Sequence, residues 1–419
     1  MRIAIWHALP SGGGKRALHD HISGLVELGH EVEIWCPPEA DEDFLPLRKF
    51  GNVNFGPSIQ IQGYRVRGTA ALSQALGDCD LRLKALDKHC AAVAETINSS
   101  RFDVVLANTA AYAHAPPLGR YLTTPSVLYL AEPARLLYEA APSPPFAAQR
   151  RRWETLLTPS GWAKGARWVY ETRQRCRRIG EEVSNAAAYG ALVVNSLYSR
   201  ESVLRAYGLN SEVCYLGVDT NKFSSYGARR TDTFITVGSA RGLKNIPFII
   251  EAFAILPPER RPPLLWVTNT NDRAAIEATQ AHARSVAVNL RIQSGVSDSE
   301  LVRELNNAYA MAYAPRLEPF GLAPLEAASC ELPVVAVAEG GVRESVVHEE
   351  TGLLSGGGHK EFATHVLRLI DEPDLARQLG VNARKRVAKA WTVRHSVERL
   401  LVLLERTAHG QNTSTQQRS

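Results

Sequence analysis

Two doubly wound α/β domains in tandem are the fold class this sequence predicts, and three stretches predict it. The chain opens with an apolar strand at 3–6, a loop Pro10-Ser11-Gly12-Gly13-Gly14, a helix with apolar Leu18, Ile22, Leu25, Val26 and Leu28, and a second strand at 31–36. Apolar run, glycines, a 3.6-residue apolar period and another apolar run make a βαβ unit. The pattern restarts far down the chain, with a strand at 234–237, then Gly238 and an apolar helix at 247–256. The third stretch, 313–351, again runs strand, turn, helix, strand. Its turn, Pro315-Arg316-Leu317-Glu318-Pro319-Phe320-Gly321, cannot be helical throughout, 322–329 is rich in Ala and Leu, and Pro333 opens an apolar run at 334–337. A length of 419 residues accommodates two domains, each with its own core.

The remaining elements follow in order. Residues 37–70 are polar and bear several glycines, so they read as loop and short strands; 71–98 has the composition of a helix; 104–107, 127–131 and 191–195 are buried strands of the first domain. In the second domain, strands at 264–267 and 290–292 continue a parallel sheet, and Gly295-Val296-Ser297-Asp298 caps a helix carrying Leu301 and Leu305. Helices are expected at 361–370 and 373–387, and 391–404 has a helical apolar period through Val393, Val397, Leu400, Leu401 and Leu404. The polar end from Gly410 is expected to be disordered.

Composition excludes several classes. Apolar residues at 45% and charged residues at 22% are globular values, and a net charge of +5 is too mild to demand nucleic acid. Six cysteines, Cys36, Cys79, Cys90, Cys176, Cys214 and Cys330, form no Cys-x-x-Cys pair, so neither a zinc site nor a disulfide framework is indicated and a reducing cytoplasm fits best. The N-terminus runs directly into a strand and a glycine loop, unlike a signal peptide, and no apolar run approaches the ~20 residues that span a bilayer. The stretch 149–178 is basic and interleaved with aromatics, among them Arg150, Arg151, Arg152, Trp153, Trp162, Trp168 and Tyr170. It can rest on anionic lipid at the inner face of a membrane or collect a phosphorylated acceptor, or it can be a solvated helix whose tryptophans pack on the core. The last reading is preferred, because Pro159-Ser160-Gly161 interrupts any continuous amphipathic face.

The chemistry concentrates in the third stretch. Glu318 precedes the helix and Glu326 lies about one turn inside it. Helical side chains lean toward the N-terminus, so Glu326 can look where Glu318 does, and between them the amides of Phe320, Gly321 and Leu322 form an open helix N-terminus suited to a phosphate. Together these could hold a sugar diphosphate. Gly340-Gly341-Val342-Arg343-Glu344 and Thr351-Gly352-Leu353-Leu354 are expected as loops at the sheet's carboxyl edge, where open α/β sheets bind ligands.

Glu318 and Glu326 with seven residues between them, Pro-Phe-Gly in that gap, and then Leu-Glu-Ala, Pro-Val-Val-Ala, Gly-Gly-Val-Arg-Glu and Thr-Gly-Leu-Leu in order, resemble the donor-sugar motif of the retaining glycosyltransferases of family 4. These have the GT-B fold, two Rossmann-like domains facing across a cleft. The resemblance extends over nearly the whole chain and is strongest from 195 to 360; Gly217-Val218-Asp219 and Phe223 match the family's passage between domains. It implies an acceptor-binding domain at 1–212, a nucleotide-sugar domain at 213–388, a helix at 389–408 crossing back to the first domain, and a tail at 409–419.

What the resemblance implies for the site is specific. Glu318 would hold sugar hydroxyls and help stabilise oxocarbenium charge rather than act as a covalent nucleophile. Lys244 matches the family's phosphate-clamping Lys, whereas the family's Arg position holds Ser239, for which Arg241 is the candidate replacement. Glu326 would bind the ribose; Gly238 and Ser239 would border the donor, Val296 would meet its base, and Gly13 and Gly14 would face its diphosphate, although a glycine loop by itself is equally a flexible turn. On the acceptor side, Glu132-Pro133-Ala134-Arg135-Leu136-Leu137-Tyr138-Glu139 resembles the E-P-x-R-x-x-Y-E element of a subset of the family, with Glu132 and Arg135 as the expected site residues. Many members carry His where this chain has Ala131; His114 could supply an imidazole, or be structural. Asp78-Cys79-Asp80 has the form of the metal-binding motif of the other major glycosyltransferase fold but sits among helix formers, so no metal and no other cofactor is expected.

The activity implied is transfer of a mannose-like or glucose-like hexosyl unit from a nucleoside diphosphate sugar to a hydroxyl of a glycan, a lipid-linked saccharide or a small metabolite. A catalytically idle sugar-nucleotide-binding relative, argued by Ala131 and Ser239, and a nucleotide-sugar 2-epimerase are the alternatives.

Overall fold

The computed structural model describes residues 1–60, 69–110, 113–139, 159–227, 230–240, 242–270 and 272–410. The chain divides into two compact units. The first comprises Met1–Asn195, Ser199–Cys214 and Val397–Ser419, and the second Ser196–Tyr198 and Tyr215–Ser396. The 212/213 boundary expected from sequence falls two residues before the observed change of unit.

The first unit is built from β1 (Arg2–Ala8), α1 (Gly13–Glu27), β2 (Glu31–Cys36), β3 (Val53–Phe55), α2 (Thr69–Asn98), β4 (Val104–Ala110), β5 (Ser126–Ala131), the short α3 (Arg135–Tyr138), α4 (Pro159–Ala187), β6 (Ala191–Val194), α5 (Leu197–Tyr207) and β7 (Glu212–Val213). Its seven strands are all parallel in the order β3-β2-β1-β4-β5-β6-β7. Strands 1, 4, 5 and 6 are apolar almost throughout, as a parallel sheet covered on both faces requires. Trp6, Val105 and Leu128 from the sheet pack with Leu86, Val93 and Ile97 of α2 and with Tyr189, Val203 and Tyr207.

The second unit holds β8 (Phe234–Val237), α6 (Ile246–Ala254), β9 (Leu264–Thr268), α7 (Arg273–Ser285), β10 (Leu290–Ser294), α8 (Asp298–Asn307), β11 (Ala310–Tyr313), α9 (Leu322–Ser329), β12 (Val334–Val337), α10 (Val342–Ser345), β13 (Gly352–Ser355), α11 (His359–Asp371) and α12 (Pro373–Ala390). Its six strands, again all parallel, run β10-β9-β8-β11-β12-β13. Phe234, Trp266 and Val335 of the sheet meet Phe253 of α6, Phe362 and Val366 of α11 and Leu379 of α12 in one core. The Ser297–Glu300 capping box starts α8 as the sequence suggested. The last helix, α13 (Val393–Ala408), begins in the second unit and from Val397 belongs to the first, where Val397 packs so closely on Gly24 that a Cβ there would lie 2.4 Å from it.

One sequence expectation needs correction, and another falls partly outside the described residues. Pro159, Ser160 and Gly161 open α4, with the proline in the first turn, where its missing N–H breaks no helical bond. Residues 149–158 lie outside the described part. Thr351-Gly352-Leu353-Leu354 is not a loop at the carboxyl edge, because β13 starts at Gly352 and Thr351 therefore stands at the amino-terminal edge, its Oγ1 accepting from Val347 N–H at 2.8 Å. The tail beyond 410 is likewise outside the described residues, and no helix among them is long and apolar enough to cross a membrane.

Candidate functional site

The strand order of the second unit reverses between β8 and β11, and ligands of open parallel sheets bind outside the carboxyl ends of the strands at such a reversal. Two loops leave the sheet there. One runs from Gly238 to the 3-10 turn Gly242–Lys244, the other from Tyr313 to α9. They are tied by a backbone bond, Arg316 N–H to Leu243 O at 2.7 Å, and by Lys244 Nζ donating to Glu318 Oε2 at 2.7 Å. The side chains of this pair are 30% and 13% exposed. Gly238 leaves room for the lysine stem, since a Cβ there would lie 3.0 Å from Lys244 Cγ, and its carbonyl accepts from Trp266 Nε1 at 2.8 Å.

Both sequence-predicted carboxylates border one buried phenol. Tyr313 ends β11, and its pKa is driven well above the ordinary value by burial first, then by the charge and hydrogen bond of Glu318 and the charge of Glu326. Glu326 itself is buried, on the second turn of α9. Lys244 Nζ lies 5.9 Å from the centre of the same ring.

The backbone carrying Glu318 is held from below by the loop after β12. Gly341 N–H donates to Glu318 O at 2.8 Å, and Gly340 adopts φ 59° with its missing Cβ only 2.1 Å from that carbonyl. A side chain at 340 is therefore sterically forbidden. Glu339 accepts from Leu317 N–H at 2.9 Å, and Gly321, at φ 90°, turns the chain into α9 behind the buried Phe320. Leu322 is half-buried as the first residue of that helix. Sequence reasoning saw Gly340-Gly341 as a ligand loop; here the pair acts by close approach to Glu318 and Pro319. Glu344 in the same motif is taken up by Leu197 N–H, Tyr198 N–H and Tyr215 O–H at 2.9, 3.0 and 2.8 Å, all three residues of the second unit. Ser239 and Val296 are half-buried after β8 and β10. Arg241 lies outside the described residues.

In the first unit the order reverses between β1 and β4. Gly12, at φ 134°, precedes α1, and Gly13 and Gly14 are its exposed first residues. Immediately behind them the character changes. Lys15 is fully buried and pairs with Glu42, whose carboxylate also lies 3.3 Å from His7 Nε2. Burial alone would raise the Glu42 pKa, but the His7 imidazole beside it and the hydrogen bond and charge of Lys15 hold it at about 2. Burial lowers the His7 pKa and, with the Glu42 charge, pushes Cys36 up to about 12. Among the described residues, His7, Cys36 and Glu42 form the one group whose donor atoms, all within 4.8 Å of one another, could hold a metal ion. The Lys15 ammonium already supplies the cation there, beside a neutral imidazole and a neutral thiol, so the group reads as a closed ion pair. Nothing in the sequence marked Lys15 or Glu42, because their partnership depends on a loop.

The acceptor-side candidates gather after β4 and β5. His114 Nδ1 lies 3.4 Å from the carbonyl of Glu132. Arg135 is buried and its guanidinium is shared by Glu132 and, at 3.8 Å, Glu139, so the acidic and basic residues of this motif bind one another. Ala131 has φ 59° with Glu132 N–H donating to Leu130 O at 2.7 Å, the tight γ-turn that non-glycine residues rarely adopt. The β5 register shifts at the same point. Ala131, the position at which the family resemblance led one to look for His, is thus also where the backbone is strained.

Residues 218–386 match the family model described as glycosyl transferases group 1. The mouse alpha-1,3/1,6-mannosyltransferase ALG2 is 34% identical over 96 residues, 23% of each chain. D-inositol 3-phosphate glycosyltransferase of Jonesia denitrificans is 27% identical over 268 residues, 58% of this chain and 62% of that one. The chain thus spans about a quarter of the first relative and under two thirds of the second. Among solved structures, sucrose-phosphate synthase from Thermosynechococcus elongatus superposes with a TM-score of 0.71 at 18% identity, covering 98% of this chain and 100% of that one. Anabaena HepE in complex with UDP and glucose gives 0.68 at 17% identity, covering 97% and 99%. These likenesses establish the two-domain GT-B fold class, and residues 218–386 match the model of the glycosyl transferases group 1 family.

Proposed function

We propose that this protein is a retaining, metal-independent hexosyltransferase that moves a mannose-like or glucose-like unit from a nucleoside diphosphate sugar to an acceptor hydroxyl. The observation that carries the reading is the Lys244–Glu318 pair at the β8/β11 reversal, inside the family-matched domain. A partly exposed ion pair is weak and readily exchanged. An incoming sugar diphosphate offers each partner a better one, phosphate oxygens for Lys244 and hexosyl hydroxyls for Glu318. HepE holding UDP and glucose, and the names of the mannosyl- and glycosyltransferase relatives, support this class of donor.

In the reaction, the bond from the anomeric carbon to the phosphate oxygen breaks and its electron pair stays on that oxygen. The acceptor oxygen bonds to the same face of the anomeric carbon and gives its proton to the departing phosphate. Lys244 and the amides around Gly321 meet the charge that grows on the diphosphate, so no metal is required, and Glu318 stabilises the oxocarbenium-like sugar. Glu326 binds the ribose, and His114 and Glu132 in the first unit serve the acceptor, whether a glycan, a lipid-linked saccharide or a small metabolite.

The test is turnover of a panel of UDP-, GDP- and ADP-hexoses in chelator, wild type beside Glu326→Ala. One donor should be consumed with retention, and the substitution should raise its KM about tenfold, the loss of one or two hydrogen bonds to a buried carboxylate. Binding without turnover of any donor would instead indicate an idle relative, and a changed sugar still attached to its nucleotide would indicate an epimerase.

A further inference from the structure

The segment 114–116 is an irregular connection after β4, yet Ala115 and Pro116 are buried. Its backbone groups must find partners inside the fold, and the end of α4 with the turn that follows it supplies them. Glu182 accepts from His114 N–H and Ala115 N–H, both at 2.8 Å. Asn185 Nδ2 donates to Ala115 O at 2.9 Å and Tyr189 O–H to Pro116 O at 3.0 Å. Residues 182 and 185 share one face near the end of α4, and Tyr189 follows just after the helix stops at Ala187, so the helix end and the turn after it read three consecutive residues of the connection.

Glu182 also reaches the second acceptor-side stretch. Tyr207 O–H donates to Glu182 Oε2 at 3.2 Å, and the same hydroxyl accepts from Ala134 N–H at 3.1 Å, in the turn that carries Glu132 and Arg135. His114 Nδ1, 3.4 Å from Glu132 O, closes the circuit. Among polar groups around it, Tyr138 and Tyr207 have pKa values raised by burial and by the Glu182 charge, and burial raises that of Glu182 itself. A carboxylate sealed in this way is costly, and an apolar residue would fill the space without that cost.

We infer that Glu182, through Tyr207 and the 114–116 backbone, is the positioning residue that sets His114 against Glu132 for the acceptor. This rests on the reading that those two residues serve the acceptor. The chemistry demands a carboxylate: Oε1 and Oε2 both accept from N–H or O–H donors, so an amide of the same shape must point its NH2 at one of them.

The experiment compares Glu182→Gln and Tyr207→Phe with wild type by amide hydrogen exchange and by transfer kinetics with methyl and octyl α-mannosides and α-glucosides as acceptors. For Glu182→Gln, exchange should accelerate at least tenfold at residues 113–115 and at 132, 134 and 135 only, and acceptor KM should rise about tenfold while the KM of the sugar nucleotide and its hydrolysis by water stay within twofold. Tyr207→Phe, which spares the 114–116 clamp and cannot easily unfold the unit, should free only 132, 134 and 135 and raise acceptor KM about threefold. Unchanged exchange, protection lost throughout the first unit, or donor and acceptor KM rising together would overturn the inference. His114→Ala tests the underlying reading separately: if it leaves acceptor KM unchanged, the acceptor assignment fails whatever Glu182→Gln does to exchange.

Discussion

At the reversal of the second unit's sheet, Lys244 and Glu318, 74 residues apart, meet with part of both side chains in solvent, whereas at the reversal of the first, Lys15 and Glu42 meet with the lysine wholly enclosed. The two sheets place charge at the same topological position. Exposure decides what the charge can do. A solvated pair contributes little to stability and is free to trade partners; a sealed pair cannot lose one partner without stranding the other in a medium that solvates it poorly. The second unit is thereby suited to exchange with a ligand and the first to holding its loop still.

Substitutions sharpen this contrast. Glu318→Gln should lower the transfer rate constant by a factor of ~10²–10³, the size of losing one aligned electrostatic stabiliser of a transition state, and leave urea unfolding within ~1 kcal/mol of wild type. Lys15→Met should do the reverse, destabilising the first unit by ~3–5 kcal/mol because Glu42 is left without its cation. The double change Lys15→Met with Glu42→Leu should recover most of that loss. If Lys15→Met costs no more stability than Lys244→Met, the comparison between the units is wrong.

Acid should separate the units by a smaller margin. Burial lowers the His21 pKa from 6.5 to about 4, and lowers those of His7 and His89 as well. Between those limits the unfolded chain binds a proton that folded His21 refuses, so stability falls as pH drops from 6.5 toward 4 and levels off below, by up to ~3 kcal/mol for this residue. Glu42 acts in the same direction at lower pH, its contribution present above the ordinary carboxyl range and lost as pH falls toward about 2. In the second unit, His365 is the one histidine among the described residues with a lowered pKa. Hydrogen exchange at pH 4.5 should therefore show the first unit opening before the second. His21→Phe, keeping the edge contact with Tyr129 at 5.4 Å, should flatten the dependence.

The site of the second unit was legible because its signals are local. Glu318, Gly321 and Glu326 are fixed by one turn and one helix, and a proline, a glycine and an Ala-Leu run announce both. The partner of Glu318 was not readable from spacing; it follows only from knowing that β8 and β11 are neighbours. Thr351-Gly352-Leu353-Leu354 misled because a glycine that opens a strand resembles one that ends it: Gly352 is required by the Val334 carbonyl, 2.6 Å from where its Cβ would be. Least visible was the first unit's interior, where Lys15, Glu42 and Glu182 look like ordinary surface charges in sequence, yet Lys15 and Glu182 are buried and Glu42 is half-buried against partners on irregular segments.

The most direct test of the exchangeable pair is calorimetric titration of UDP, GDP and ADP into wild type, Lys244→Ala and Glu318→Gln in the presence of chelator. The account predicts that one nucleotide binds, that Lys244→Ala weakens it at least tenfold through loss of a charge-assisted phosphate contact, and that Glu318→Gln binds the bare nucleotide as well as or better than wild type, its lysine having been released. Equal binding by all three proteins, or binding that appears only when a divalent cation is added, would contradict it.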